Sequence, residues 1–217
     1  MGNITIDNVL IEWLGHAGFM IKGDDLVIHI DPYILPDTFS PEDMADIILI
    51  THEHDRHCHP DSIRKVRKSD ATALIPENLS LQFRGDARRV IEGDSLTGEL
   101  AIKGVGIEVV PAYNRESSCH ARGEGVGYVV DIGGLRIYHA GDTDLIPEMA
   151  DVSADVALLP IGGVSTMNEE QASVAAVSIS PKFVIPMHYG KDDNSADPQK
   201  FRDLVKDKSS GIDVVIL

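Results

Sequence analysis

The chain has 217 residues, 43% of them hydrophobic and 25% charged, a composition that fits a folded domain and excludes a disordered or collagen-like class. A net charge of −16, from 35 acidic and 19 basic side chains, argues against nucleic acid or an anionic membrane surface as a partner, because both need clustered Lys and Arg. No apolar run approaches the ~20 residues of a membrane span. Met1 to Asp7 lacks the basic start and apolar centre of a leader, so the expected setting is cytoplasmic, with Cys58 and Cys119 reduced.

In chain order, Val9 to Trp13 and Phe19 to Ile21 read as strands joined by Leu14-Gly15-His16-Ala17-Gly18. Leu26 to Ile30 is a third strand, ended by Asp31-Pro32 because proline cannot continue a ladder. Ile47 to Ile50 is β-branched and apolar, the pattern of a buried strand. Pro60 to Lys68 reads as a helix, acidic at its start and basic at its end. Thr72 to Ile75 is a strand, Glu77 to Phe83 a helix, and Arg88 to Ile91 and Ile107 to Val110 are strands. Gly125 to Asp131 and Leu135 to His139 flank Ile132-Gly133-Gly134 as a hairpin. Val156 to Leu159 and Phe183 to Met187 are strands, Asn168 to Ser178 and Asp197 to Lys206 helices, and Val214 to Leu217 a last strand. Strands first, then strands alternating with helices, suggest two sheets with helices on their outer faces.

Chemistry concentrates in Thr51-His52-Glu53-His54-Asp55-Arg56-His57-Cys58-His59, the loop that follows the apolar strand. Imidazole is the commonest neutral ligand for zinc and its neighbours, and loops at strand ends are where binding groups collect. Two later strands also end in such groups, Leu135–His139 before Gly141-Asp142-Thr143 and Phe183–Met187 before His188-Tyr189-Gly190. Loops from separate strand ends can converge on one site. Gly-x-Ser-x-Gly is absent, no cysteine has a thiol-motif spacing, and no glycine run opens a helix after a strand. Nucleophilic triads and dinucleotide binding are therefore unsupported.

Thr51 to His57 resembles the His-x-His-x-Asp-His signature of the metallo-β-lactamase fold. Trp13 to Gly18, Pro111 to Asn114, Gly123 to Tyr128, Tyr138 to Thr143 and Pro186 to Gly190 are similar, in order, to motifs of small metal-dependent hydrolases related to L-ascorbate-6-phosphate lactonase. The resemblance covers nearly the whole chain. It implies a four-layer αββα sandwich, residues 1–217 forming one domain of two similar halves. It implies metal-dependent hydrolysis of a small-molecule lactone, ester or phosphoester by a metal-activated hydroxide. Zn2+ is the expected cofactor, one or two ions, with Mn2+ or Fe also suited to the ligands. The oligomeric state stays open, a homo-oligomer included.

The same resemblance implies that His52, His54 and His120 hold one metal, with Asp142 bridging to a second held by His57 and His188. The family's further aspartate falls where this chain has Arg56, and Asp55 stands one place early. A guanidinium cannot ligate a cation, so one tight metal, or two with one weak, is expected. Arg56 could instead replace the second cation's charge or bind a substrate anion, and, if it points outward, Asp55 or Glu53 could supply oxygen to the metal. Asp31 resembles the aspartate that braces the histidine loop. His16 either lines the site or fills a turn, and Asn114 and Tyr189 are candidates to line the pocket. His29 is expected in the core, His59 at a helix start, and His139 in a structural contact. Cys58 and Cys119, each beside a ligand histidine, are expected close together beside the site, with a disulfide or a sulfur ligand as minor options. Two alternatives remain at this point: a binding protein that has lost turnover through Arg56, and a di-iron oxidoreductase-like member of the fold.

Overall fold

The architecture was taken from a computed structural model, which describes residues 2–83, 85–115, 119–190 and 195–217. Two seven-stranded sheets follow the chain in strict order. The first holds β1 (Asn3–Ile6), β2 (Val9–Gly15), β3 (Gly18–Gly23), β4 (Leu26–Ile30), β5 (Ala45–Leu49), β6 (Arg67–Pro76) and β7 (Ala87–Val90). The second holds β8 (Ser95–Leu96), β9 (Gly106–Ala112), β10 (Gly125–Ile132), β11 (Leu135–His139), β12 (Val156–Pro160), β13 (Phe183–Met187) and β14 (Asp213–Val214). In each sheet the first four strands pair antiparallel and the last four parallel.

The strands take this arrangement because of what they bury. β5 and β12 are buried along their whole length, as parallel strands covered on both faces must be. Between the sheets, Phe19, Ile28, Ile47 and Leu49 pack with Ile107, Tyr128, Ile137 and Leu158. On the outer face of the first sheet, Ile48, Ile50 and Ile75 pack with Ile63 and Val66 of α1 (Pro60–Val66). On the outer face of the second, Tyr138, Ala157 and Leu159 pack with α2 (Glu169–Ile179) and α3 (Pro198–Lys208) through Ala172, Ala176, Phe201 and Val205. This is the expected order of layers: helix, sheet, sheet, helices.

Local chemistry sets the ends. α1 begins at Pro60 behind His59, whose Nδ1 accepts from the Ser62 amide at 3.3 Å. α2 opens with a reciprocal cap between Asn168 and Gln171. Gly133 and Gly134 both have positive φ, the two-residue turn a tight hairpin requires.

Three expectations fail. Glu77 to Phe83 is not a helix: the carbonyls of Pro76 and Leu79 accept from the Arg89 guanidinium at 3.4 and 2.9 Å, as does that of Glu77. Ser80 is drawn away as well, its amide donating to Glu53 at 2.5 Å. The expected helix to Lys68 stops at Val66, and β6 starts at once, pulled by pairing with β5. The last strand is only Asp213–Val214, not Val214 to Leu217. β1 and β8 were not expected. Both are short and lie at sheet edges.

Candidate metal centre

Six histidines and two aspartates meet where loops from both sheets converge. Asp31 follows β4 with φ 46°, a left-handed conformation uncommon for a residue with a side chain. Its carboxylate accepts from the Thr51 amide (2.8 Å), the Thr51 hydroxyl (2.5 Å) and His57 Nδ1 (2.7 Å). This fixes ring orientations. The Thr51 hydroxyl gives its single proton to Asp31, so at 2.9 Å it accepts from His52 Nδ1, and His52 Nε2 turns inward. His57 also gives Nδ1–H to Asp31 and presents Nε2 to the site. Across the site Asn114 Nδ2 donates to Asp144 and to the Ser165 carbonyl, so its oxygen accepts from His120 Nδ1 at 2.9 Å. A carboxylate or amide behind a ligating imidazole is the usual way to set its tautomer and aim.

Asp142 is the meeting point. Gly141 precedes it with φ 65°, and a Cβ there would lie 2.8 Å from the Val126 carbonyl, so only glycine fits the turn. His139 steadies that turn, accepting from the Gly141 amide at 3.1 Å and donating to the Ala17 carbonyl of the other half at 2.8 Å. Asp142 Oδ2 lies 3.2 Å from His188 Nε2, 3.4 Å from His57 Nε2, and 3.8 Å from both His52 and His120 Nε2. Its other oxygen, Oδ1, is buried without a hydrogen-bond partner. A buried carboxylate oxygen left so is costly unless something else, such as a cation, satisfies it.

Two further groupings complete the geometry. The donor atoms of His52, His54 and His120 lie within 4.8 Å of one another, the set the resemblance implied. Those of His16, His57 and His188 do the same. His16 and His188 are held by one backbone bond, His188 amide to His16 carbonyl at 2.8 Å, and both have positive φ. His54 is exposed, while His16, His52, His57 and His120 are buried.

The electrostatics divide the imidazoles. Burial, then the nearby charge of His57, holds His52 well below the usual range, and burial lowers His120 too, so both are neutral donors at pH 7. Burial also opposes charge on His57, but the carboxylates of Asp142 and Asp31 outweigh it and raise the group to about 10. The same attraction, from His57 and then His188, overcomes burial at Asp142 and keeps its carboxyl well below the usual range. A bound cation would compete with the His57 proton for this carboxylate.

The remaining expected residues fall elsewhere. Asp55 is exposed and belongs to no donor grouping, and Glu53 is engaged with Ser80. Arg56 is half-buried and is not among the groups within 4 Å of Asp142. Tyr189 stacks on Trp13, centroids 4.7 Å apart, and its hydroxyl reaches the Leu217 carbonyl at 3.4 Å, so these contacts hold it to the chain's end rather than present it to a pocket. Asn114 serves as the brace of His120. Cys58 and Cys119 form no disulfide: Cys58 is buried beside Ile50 and Ile63, and Cys119 is exposed at the site's mouth. That mouth is a cavity of about 210 Å³ lined by His52, Glu53, His54, Asn78, His120 and Glu124 as well as Cys119. Larger cavities, of about 640 and 440 Å³, lie away from the histidines.

Thr51 was missed in the sequence. The hydroxyl directly before the first histidine was its only signal.

A histidine loop after a buried strand, converging with Asp142 and His188 between two sheets, defines a protein of the metallo-β-lactamase fold. Residues 10–188 match the family described as beta-lactamase superfamily domain, and the chain belongs to that superfamily. It is 38% identical over 220 residues to a UPF0173 metal-dependent hydrolase of Thermococcus kodakarensis, covering 96% of both chains. The crystal structure of a protein from Parabacteroides distasonis superposes with a TM-score of 0.83 at 37% identity, covering 99% of this chain and 96% of that one. Igni18, a metallo hydrolase from Ignicoccus hospitalis, gives 0.77 at 28% identity, covering 96% and 94%. The chain is thus a metal-dependent hydrolase of the metallo-β-lactamase superfamily, and no helix among its described residues is long and apolar enough to cross a membrane.

Proposed function

We propose that the chain hydrolyses a small lactone, ester or phosphoester at the centre around Asp142, with zinc as the resident ion. The observation that carries this is the buried Asp142 carboxylate, within 4 Å of four imidazoles and with one oxygen unpartnered. The donor set fits: imidazole nitrogen with one carboxylate suits zinc, and iron less specifically. His52, His54 and His120 would hold one ion, His57 and His188 a second, and Asp142 both. When bound, such ions supply an activated water and polarise the bond to be cut.

The chain's own groups do the rest. Asp31 and Thr51 keep His52 and His57 in the tautomers that face inward. Asn114 does so for His120. Asp142 can also orient water through Oδ1. The small mouth, open at His54, admits a compact substrate group and favours a small-molecule substrate. Likeness to lactonase motifs favours a cyclic ester. Because the site draws on both sheets, we take residues 1–217 to work as one unit.

The test pairs elemental analysis of the purified protein with a turnover panel of lactones, carboxylic esters, phosphomonoesters and phosphodiesters. Chelation should abolish turnover and zinc should restore it. Protein that holds no cation, or turns over none of the panel when loaded, sinks this reading.

A further inference from the structure

Resting on the cation-dependent reading above, we propose that His16 replaces the carboxylate displaced by Arg56 and, with His57, His188 and Asp142, forms the holding set for a second divalent cation. His57, His188 and the shared aspartate give a second cation three protein donors, and a further one is what the displaced carboxylate would have supplied. Neither nearby acid provides it, since Glu53 is spent on Ser80 and Asp55 is exposed outside every donor grouping.

His16 is where the donor is needed. Its Nε2 lies 3.0 Å from His57 Nε2, and its ring centroid 4.0 Å from that of His188. Two nitrogens sharing a tetrahedral zinc, with bonds of about 2.0–2.1 Å, sit roughly 3.4 Å apart, so a small opening of this pair admits an ion. The grouping is as compact as that of His52, His54 and His120, both closing within 4.8 Å.

Topology gives an independent argument. His16 sits between the second and third strands of the first sheet, and His120 between the second and third strands of the second. The two halves therefore each send one histidine from the same place, and each joins a different donor grouping. The backbone adds a third. His16 adopts φ 54° directly after Gly15 at φ 92°. A left-handed position is uncommon for a residue with a side chain, histidine being among those that tolerate it, and here it brings the imidazole against His57 and His188. A neutral imidazole in place of a carboxylate makes the second position the weaker one, and suits zinc better than manganese.

The test counts ions. Apo-protein would be reloaded with Zn2+ by equilibrium dialysis, with unfolding followed under chelation. His16→Asn keeps a side chain that tolerates positive φ but ligates poorly. Wild type should hold two ions, the second at least tenfold weaker. His16→Asn should hold one, with first-ion affinity within threefold of wild type, and the double variant His16→Asn/Arg56→Asp should regain the second. Two ions held equally by wild type and His16→Asn would overturn the inference, as would a lowered unfolding temperature under chelation with the count unchanged, since that is a purely structural role. A wild type holding one ion also overturns it. Two His16-dependent ions with no turnover in the panel would leave this inference standing and remove only the proposed substrate class.

Discussion

The two sheets share one plan and diverge at their fifth strands. Each runs four antiparallel strands into parallel ones. Each sends a histidine from the loop after its second strand, His16 or His120, and an aspartate from beyond its fourth, Asp31 or Asp142. Then β5 ends in His52, His54 and His57, whereas β12 ends in Ile161-Gly162-Gly163 with no imidazole, and the second half gives His188 only after β13. The first half thus concentrates donors on one loop and uses its aspartate to brace them. The second spreads its donors and uses its aspartate as the shared charge. Equivalent positions in a fold carry different jobs according to which side chains reach them.

The largest effect should come from Asp142, the shared charge. Asp142→Asn should weaken cation binding by more than the roughly 10–100-fold that a bracing partner is worth, and abolish turnover. Asp144→Asn, two residues on, should do far less, because that carboxylate holds Asn114 Nδ2 at 3.1 Å and the Arg115 amide at 2.8 Å rather than the histidine cluster. Metal titration of both variants, with unfolding under chelation, makes the comparison. Equal affinities would remove Asp142 from the centre.

Stability against pH separates the halves through a histidine outside the site. His29 is buried in β4, its Nε2 donating to the Asp43 carbonyl at 2.7 Å and its Nδ1 without a partner. Burial, against the pull of the Asp43 carbonyl and carboxylate, lowers it from 6.5 to about 4. The unfolded chain therefore binds a proton that the folded chain refuses between those values. The stability linked to His29 is complete above pH 6.5, falls as pH drops toward 4, and levels below it, about 3 kcal/mol across the window. In chelated protein, His29→Gln should flatten that part of the curve relative to wild type. Parallel curves would show that His29 titrates normally.

The braces differ in charge, and so should their worth. Asp31→Asn removes the charge behind His57 and disturbs Thr51 and His52 with it, for about 10–100-fold in cation affinity. Asn114→Ala loosens only His120 and should cost about tenfold or less. Dialysis against zinc at graded free concentrations reads both. A larger loss at Asn114 would mean that the second half, not the first, carries the rigid part of the site.

Most of this plan was legible in the sequence where periodicity or chemistry was local. The β-branched run Ile47 to Ile50, the two-glycine hairpin and the acidic starts of α1 and α2 each announce themselves within a few residues. The histidine loop does so too, and it carries the resemblance that brought His120, Asp142 and His188 into the expected set. What could not be read was decided at a distance. The stretch after Pro76 has helical composition, but the Arg89 guanidinium takes its carbonyls from another strand. His16 meets His57 across 41 positions through a left-handed turn that Gly15-His16 only hints at. Tyr189 directly follows the ligand-like His188 in sequence, yet its ring goes to Trp13.

A similarly small effect is expected at Arg56, and it tests the asymmetry most finely. The residue lies on the donor-rich loop of the first half, one place before His57. It is half-buried, and the Asp142 carboxylate meets histidines rather than its guanidinium within 4 Å. Arg56→Asp exchanges a fixed positive charge for a carboxylate beside a cation position already served by imidazoles. Added negative charge should tighten the second ion about tenfold, about 1.4 kcal/mol, which lies between the ~1 kcal/mol of a fully water-screened charge pair at ~4 Å and the ~4 kcal/mol of one near a protein surface. First-ion affinity should change little, because His52 and His120 are held by Thr51 and Asn114. Turnover at limiting zinc should rise, and at saturating zinc stay within about threefold of wild type, a small change in barrier by the rate arithmetic. The informative contrary result is tighter zinc with collapsed turnover. The guanidinium would then be binding the substrate, most simply through a phosphate or carboxylate oxygen. The loop of the first half would supply specificity as well as ligands.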